Sequence, residues 1–420
     1  MSILSNAARL AVGAFAVFSV ATAAAHAGDR PAAAICDVLP DRLQALDARI
    51  AANASQHVYP GAVYLLSRQG KLVHSKAVGL GNVADGQPMR QDAIFRLASM
   101  SKPITAAAIM ILVDQGKLRL NDPVGKYIPE FARMRVGPYT TSESDADLAK
   151  LPDALHPITV WNLLTHTAGL ETLEVDKDLT TKLPERTTLA AWMAYYAHFP
   201  LAWQPGSKFA YSPLIGFDVL GRIVEVVSGQ PYDLFLKTHI LDPLGMKNTG
   251  FRLTPEQRRR LVEIYRAENG MLTPDIASFA SDTYFSGAGG LYGTGPDYMR
   301  FAEMLAGHGS RGKVRILSRS SADLMGSLQL RPEFPGLGSG MGWGLGMMHV
   351  VSGTVPVGSY GWSGAFGTHF WIDPQNDLAA VFMINLSNAQ GAAAPTSREY
   401  ERLIDAALSA NCVKAQDGSP

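Results

Sequence analysis

Strand-forming stretches lie near the two ends of this 420-residue chain, and helical ones fill its middle. Residues 62–68 and 71–78 are rich in apolar and β-branched side chains and meet at Gln69-Gly70, a hairpin signal. Strand signals return only at 342–350, 367–373 and 378–385. Between about Leu118 and Met271 the periodicity is mainly helical, punctuated by Pro and Gly, with helix starts at 159–166 and 216–228. Amphipathic stretches at 41–55 and 398–410 bracket the whole. This order predicts one sheet built from both ends of the chain around a helical insertion, an α+β architecture. A polar insert at 134–157 reads as a surface loop.

The length suffices for two lobes with a large core. Lysine plus arginine equal aspartate plus glutamate at 37 each, so nothing in the charge points to nucleic acid or a strongly charged partner. Arg9, an apolar stretch at 10–20 and Ala25-His26-Ala27 predict a signal peptide over 1–27, cleaved after Ala27, and so a periplasmic or secreted protein. The apolar stretch is short for a membrane span, so no stable span is expected after cleavage. In an oxidising compartment the two cysteines, Cys36 and Cys412, permit one disulfide. The ten histidines are scattered, without metal-type spacing, and neither a metal nor an organic cofactor is expected.

The chemistry is concentrated at Ser99-Met-Ser-Lys102, just ahead of the apolar run 104–113. Serine and lysine three apart share one face of a helix. Burial there strips the lysine of hydration and favours the neutral amine, which can take the proton of the serine hydroxyl. A second such spacing, Ser310 to Lys313, sits in a polar Gly-flanked stretch and reads as loop. A serine nucleophile still needs a proton path to the leaving group and donors for the oxyanion. Tyr211-Ser212-Pro213, at a loop-to-helix junction, can supply the first. Gly361-Trp362-Ser363-Gly364-Ala365, leading into a strand, can supply the second through backbone N–H groups. Singly, each residue has a structural explanation: a helix cap for Ser99, a solvated charge for Lys102, a core ring for Tyr211 or Trp362. Jointly they point to catalysis. His166 is assigned a structural role.

With Leu163-Leu-Thr-His-Thr-Ala-Gly-Leu170, Asp242-Pro-Leu-Gly-Met246 and Gly287-Ala-Gly-Gly-Leu291 added in order, the chain resembles the serine β-lactamase/penicillin-binding superfamily. It is most similar there to the class C β-lactamase-like carboxylesterases, family VIII. The resemblance implies a β-lactamase/transpeptidase-like fold, with an antiparallel sheet flanked by terminal helices and an inserted all-helical domain. The sheet domain would comprise 28–98 and 284–412, the helical domain 99–283, and a flexible tail 413–420. It implies Ser99 as acyl-enzyme nucleophile, Lys102 as its proton partner and Tyr211 as companion base or acid. The oxyanion hole would be the N–H groups of Ser99 and Ala365, with Trp362, Ser363 and Gly364 beside the substrate. Terminal helices packed side by side would bring Cys36 and Cys412 together.

Two departures from the family pattern bear on substrate. Trp362 stands where penicillin-binding relatives carry a cation for the substrate carboxylate, and Pro213 stands where an Asn amide is common. Tyr360 and Phe366 either extend the apolar surface of Trp362 or pack in the core. Both departures favour a small neutral ester as substrate, and hence an exported carboxylesterase for short- to medium-chain esters. The alternatives are a β-lactamase or D-peptide hydrolase on the same scaffold, and a non-catalytic envelope-binding protein.

Overall fold

The computed structural model describes residues 38–138, 145–170, 188–275, 283–353, 355–387 and 395–408. The expected signal peptide 1–27, both cysteines and the tail 413–420 lie outside the described residues. Among the described residues no helix is long and apolar enough to cross a membrane.

The central sheet has eight strands: β1 (Gly61–Arg68), β2 (Lys71–Asn82), β3 (Gln87–Pro88), β4 (Met341–Trp343), β5 (Met348–Val350), β6 (Tyr360–Ser363), β7 (Thr368–Asp373) and β8 (Leu378–Ile384). Their spatial order is β4-β5-β6-β7-β8-β1-β2-β3, with every pairing antiparallel. The join between the two ends of the chain is β1 against β8, from Ala62 opposite Ile384 to Arg68 opposite Leu378. All eight residues of β1 and all seven of β8 are buried, as expected for central strands covered on both faces. The β1–β2 hairpin turns at Gln69 and Gly70, both at positive φ (49° and 68°), the conformation a two-residue hairpin of matching twist requires.

One face of the sheet is covered by the terminal helices α1 (Pro40–Ser55) and α5 (Pro395–Ala407). They lie against each other, with Arg49 and Asn53 both bonded to Glu399, and bury Leu46, Ile50, Tyr400 and Ile404 on the sheet. The opposite face carries α4 (Gly295–Ala306), and α2 (Ser101–Asp114) and α3 (Ile215–Ser228), packed on each other, share the core on that side. Every residue of α2 from Ser101 to Leu112 is buried, so this is a helix surrounded by protein rather than a surface helix with one apolar stripe. One continuous core runs from Val63 and Leu65 of the sheet through α2 into α3 and the helix Leu189–His198.

Several local readings are met. Thr159 caps the helix Val160–Leu164 in a reciprocal capping box with Asn162, and Gly229 closes α3 at positive φ. The expected single strand over 342–350 is instead two strands, β4 and β5. Gly346, at φ +79°, turns the chain between them. The Ser310–Lys313 segment is a tight hairpin turn between two-residue strands, as its glycines suggest.

Candidate active site

A single 3₁₀ turn, Ala98–Met100, leads into α2 and carries Ser99. Ala98 has φ +46°, a strained conformation for a residue with a Cβ. Ser99 is half-buried, whereas Lys102, in the first turn of α2, has no exposed surface. Lys102 Nζ lies 3.2 Å from Ser99 Oγ, 2.7 Å from the carbonyl of Pro213 and 2.9 Å from that of Ala288. The Ser99, Tyr211–Pro213 and 287–291 segments therefore meet on one nitrogen. Pro213 enters the site through its backbone oxygen rather than its side chain.

The loop 287–291 approaches closely because Gly287 has no side chain. A Cβ on Gly287 would stand 2.4 Å from the carbonyl oxygen of Phe217. The Thr105 hydroxyl of α2 donates to the Gly287 carbonyl at 2.6 Å, and the Leu291 N–H donates to Ser101 Oγ at 3.2 Å. Beneath it lies Asp218 of α3, fully buried, an acid on the buried side of an amphipathic helix that residue type and spacing alone do not single out. Its carboxylate accepts from the hydroxyls of Ser286 (2.7 Å), Tyr196 (3.2 Å) and Tyr284, and from the Ala288 N–H (3.2 Å). Burial pushes its pKa up, against the pull of these hydrogen bonds and of Lys102. The Ala288 backbone is thus held on both sides of its Cα, its N–H by Asp218 and its carbonyl by Lys102.

Tyr211 places its ring 5.0 Å from Lys102 Nζ. Trp362, at the end of β6, packs its indole 5.1 Å from that ring and donates its Nε1–H to the Tyr211 hydroxyl oxygen at 3.3 Å. Trp362 is accordingly not only an apolar wall. His166 packs against the Tyr211 ring at 4.7 Å, tilted by 51°, and its Nδ1 accepts the Ser212 N–H at 3.1 Å. Burial, with Lys102 adding to it, holds the His166 pKa well below the usual range, so it stays a neutral bracket for the Tyr211–Ser212 backbone.

Ala365 is exposed in the turn between β6 and β7. The turn is closed by Gly364 N–H to the Thr368 carbonyl (2.7 Å) and Gly367 N–H to the Gly364 carbonyl (3.1 Å). The N–H groups of Ser99 and Ala365 donate to no backbone carbonyl among the described residues. The turn is pinned to the residues before Ser99: Thr368 Oγ1 donates to the Leu97 carbonyl at 3.0 Å, and a Cβ on Gly364 would stand 2.2 Å from that oxygen. Ser363 is buried, with its hydroxyl 2.8 Å from His369 Nδ1. Tyr360 and Phe366 are both buried: Tyr360 stacks on His349, and Phe366 clusters with Ala98 and Ile264.

The family model described as Beta-lactamase matches residues 45–403. The chain belongs to the beta-lactamase family. Esterase EstB of Burkholderia gladioli is 30% identical over 364 residues, covering 77% of this chain and 86% of EstB. D-alanyl-D-alanine-carboxypeptidase/endopeptidase AmpH of Escherichia coli (strain K12) is 30% identical over 302 residues, covering 70% of this chain and 72% of AmpH. The solved structure of EstCE1, a hydrolase with promiscuous acyltransferase activity, superposes with a TM-score of 0.72 at 26% identity, covering 87% of this chain and 98% of EstCE1. The fold is thus the β-lactamase/transpeptidase-like one, and the family's members are serine hydrolases, esterases among them.

Proposed function

We propose that this protein is an exported serine carboxylesterase that cleaves neutral short- to medium-chain esters through an acyl-Ser99 intermediate. The observation that carries this reading is the three-way setting of Lys102 Nζ between Ser99 Oγ and the carbonyls of Pro213 and Ala288. A neutral amine there spends its two N–H groups on the carbonyls and turns its lone pair to Ser99. The ammonium formed when it takes the Ser99 proton keeps all three contacts. The nitrogen can therefore gain and lose a proton without moving.

In the reaction, the Ser99 proton passes to Lys102 as Oγ bonds to the ester carbonyl carbon. The N–H groups of Ser99 and Ala365 hold the oxyanion. Tyr211 gives its proton to the leaving alkoxide as the carbon–oxygen bond breaks, and is resupplied from Lys102. Water then attacks the acyl-enzyme, the proton steps run in reverse, and the acid leaves. The substrate sits in a cleft between the sheet lobe, 28–98 with 284–412, and the helical lobe 99–283. Trp362 and Gly364 line the cleft.

Selectivity follows from Trp362, whose indole faces Tyr211 where a cation would receive a carboxylate. Bringing an anionic lactam into such a cleft costs several kcal/mol of desolvation, a penalty that a neutral ester escapes. EstB supports the ester reading; AmpH, at the same identity, keeps a D-alanyl peptidase as the second reading. The test is kcat/KM for p-nitrophenyl butyrate, a chromogenic cephalosporin and a D-alanyl-D-alanine peptide on one preparation. The ester is expected to lead by at least about 100-fold, roughly 2.7 kcal/mol. Equal or faster turnover of the cephalosporin or the peptide overturns the assignment. Export is checked by N-terminal sequencing of the mature protein, which should begin at Gly28.

A further inference from the structure

Beneath the hairpin that carries Ala365 lies a chain of three buried polar side chains that the mechanism above does not use. Ser363 Oγ stands 2.8 Å from His369 Nδ1, and His369 Nε2 stands 3.0 Å from Glu401 Oε1. Their exposures are 3%, 2% and 2%. Ser363 and His369 face each other across the β6–β7 ladder, at the base of the hairpin. Glu401 reaches them from α5, on the terminal-helix face of the sheet. The Nε2 contact lies off the N–H direction, so it is an electrostatic contact more than an aligned hydrogen bond. Arg398, 3.8 Å from Glu401 Oε2, lends the carboxylate a nearby positive charge.

The residue types are those of a Ser–His–acid triad, but this serine is no second nucleophile. Its hydroxyl is buried, and it meets Nδ1 while the carboxylate meets Nε2, the reverse of the order in a catalytic triad. Nor is packing a sufficient reason for the set. Apolar side chains of the same size fill such a layer without burying an ionisable pair.

We infer that His369 and Glu401 are positioning residues for the oxyanion side of the site. They tie Ser363 down from α5 and so hold the 363–368 hairpin where the Ala365 N–H meets the reacting carbonyl. The inference rests on the roles proposed above for Ser99 and Ala365. The hairpin has two anchors. On one side Thr368 and Gly364 fix it to Leu97, just before the nucleophile. On the other, Ser363 and His369 link its two strands at the base, and Glu401 ties that link to the C-terminal helix. Loss of the second anchor leaves the hairpin free to pivot on the first. A donor displaced by about 1 Å from a developing oxyanion costs on the order of 100-fold in rate.

The test uses His369→Phe, Glu401→Gln and Ser363→Ala in the full-length protein, with His369→Asn as the conservative variant. Each is measured for near-UV circular dichroism, for kcat and KM on p-nitrophenyl butyrate, and for the rate of Ser99 labelling by a fluorophosphonate. The phosphonyl oxygen of that reagent occupies the oxyanion hole as the bond to Ser99 forms. His369→Phe and Glu401→Gln are expected to keep the native spectrum and lose about 10- to 100-fold in both kcat and labelling rate, with KM within about twofold. His369→Asn, whose amide can still bond Ser363, is expected to recover part of the loss. Should His369→Phe fail to fold, Ser363→Ala, which removes only a hydroxyl, carries the test with the same expected losses. Wild-type kcat and labelling in the folded variants overturn the inference, as does a raised KM at unchanged kcat in Ser363→Ala, which marks a direct substrate contact. A wild-type protein that hydrolyses the ester but is not labelled at Ser99 overturns the assigned nucleophile itself, a different failure.

Discussion

Lys102 is the residue on which the separate motifs converge, and its substitution tests the mechanism most directly. Ser99→Ala is expected to abolish ester turnover and fluorophosphonate labelling. Lys102→Met, which keeps the length of the stem, and Tyr211→Phe should each lower kcat by at least about 100-fold with the fold intact by circular dichroism. Near-normal turnover by Ser99→Ala would sink the assignment. Trp362→Phe keeps a ring but removes the donor to the Tyr211 oxygen. It should lower kcat by about tenfold, the worth of one good hydrogen bond, with little change in KM. Unchanged kcat would mean the indole N–H has no part in the chemistry. At this scale the sequence shows where side-chain type and spacing bring groups together, as with Ser99, Lys102 and Tyr211. It was unreadable where a backbone oxygen or a ring N–H does the work. The Pro213 carbonyl and the Trp362 Nε1–H have directions set only by the folded chain, and Asp218 differs from Glu225 of the same helix only in facing the buried side.

Between residue and domain, the hairpin joining β6 to β7 shows what a small residue contributes. A methyl group on Gly364 would meet the Leu97 carbonyl at 2.2 Å and Thr368 Oγ1 at 2.3 Å, so Gly364→Ala has to push the Ala365 turn away from Ser99. Activity is expected to fall by about 100-fold, with stability reduced by about 1–3 kcal/mol in urea unfolding; an active variant would show that the turn tolerates the shift. At the chain ends, Val38 and Leu408 form an antiparallel bridge, and the Leu39 N–H donates to the Ala407 carbonyl at 2.9 Å. The segments that carry Cys36 and Cys412 therefore leave the described fold from one place. A disulfide between them is expected, seen as an intact mass two hydrogens lighter without reductant. Its removal by Cys36→Ser should cost up to about 5 kcal/mol. Two free thiols in the unreduced protein would refute it. Element positions were legible where an amphipathic period or a turn dipeptide marks them, as at α1, α3 and Gln69-Gly70. The 342–350 segment misled because alternating glycines mimic a strand, while the positive φ of Gly346 that breaks it into two is a property of the turn.

For the molecule as a whole, two buried histidines make stability depend on pH. Burial holds His349 at a pKa of about 4, and His166 also well below the usual value. In the unfolded chain both protonate near pH 6.5. Below that pH the unfolded state binds protons that the native state refuses, so stability is fully present above about pH 6.5 and falls as the pH drops toward 4. For His349 the full effect is about 3 kcal/mol. Urea midpoints measured from pH 7 to pH 4 should fall, and His349→Leu, which has no charge to gain, should flatten the slope; an identical slope in that variant would assign the acid sensitivity elsewhere. The α+β class and the assembly of the sheet from both chain ends were legible in the order of strand and helix signals. Strand neighbours were not, because pairing depends on contacts between residues hundreds of positions apart. That pairing also bears on how the protein is made. Tyr64 lies beside Phe382, so about 320 residues must emerge from the ribosome before the centre of the sheet can close. Until then β1 has only β2 to pair with. A nascent chain that stays open for so much of its synthesis is well suited to be threaded across a membrane before it folds.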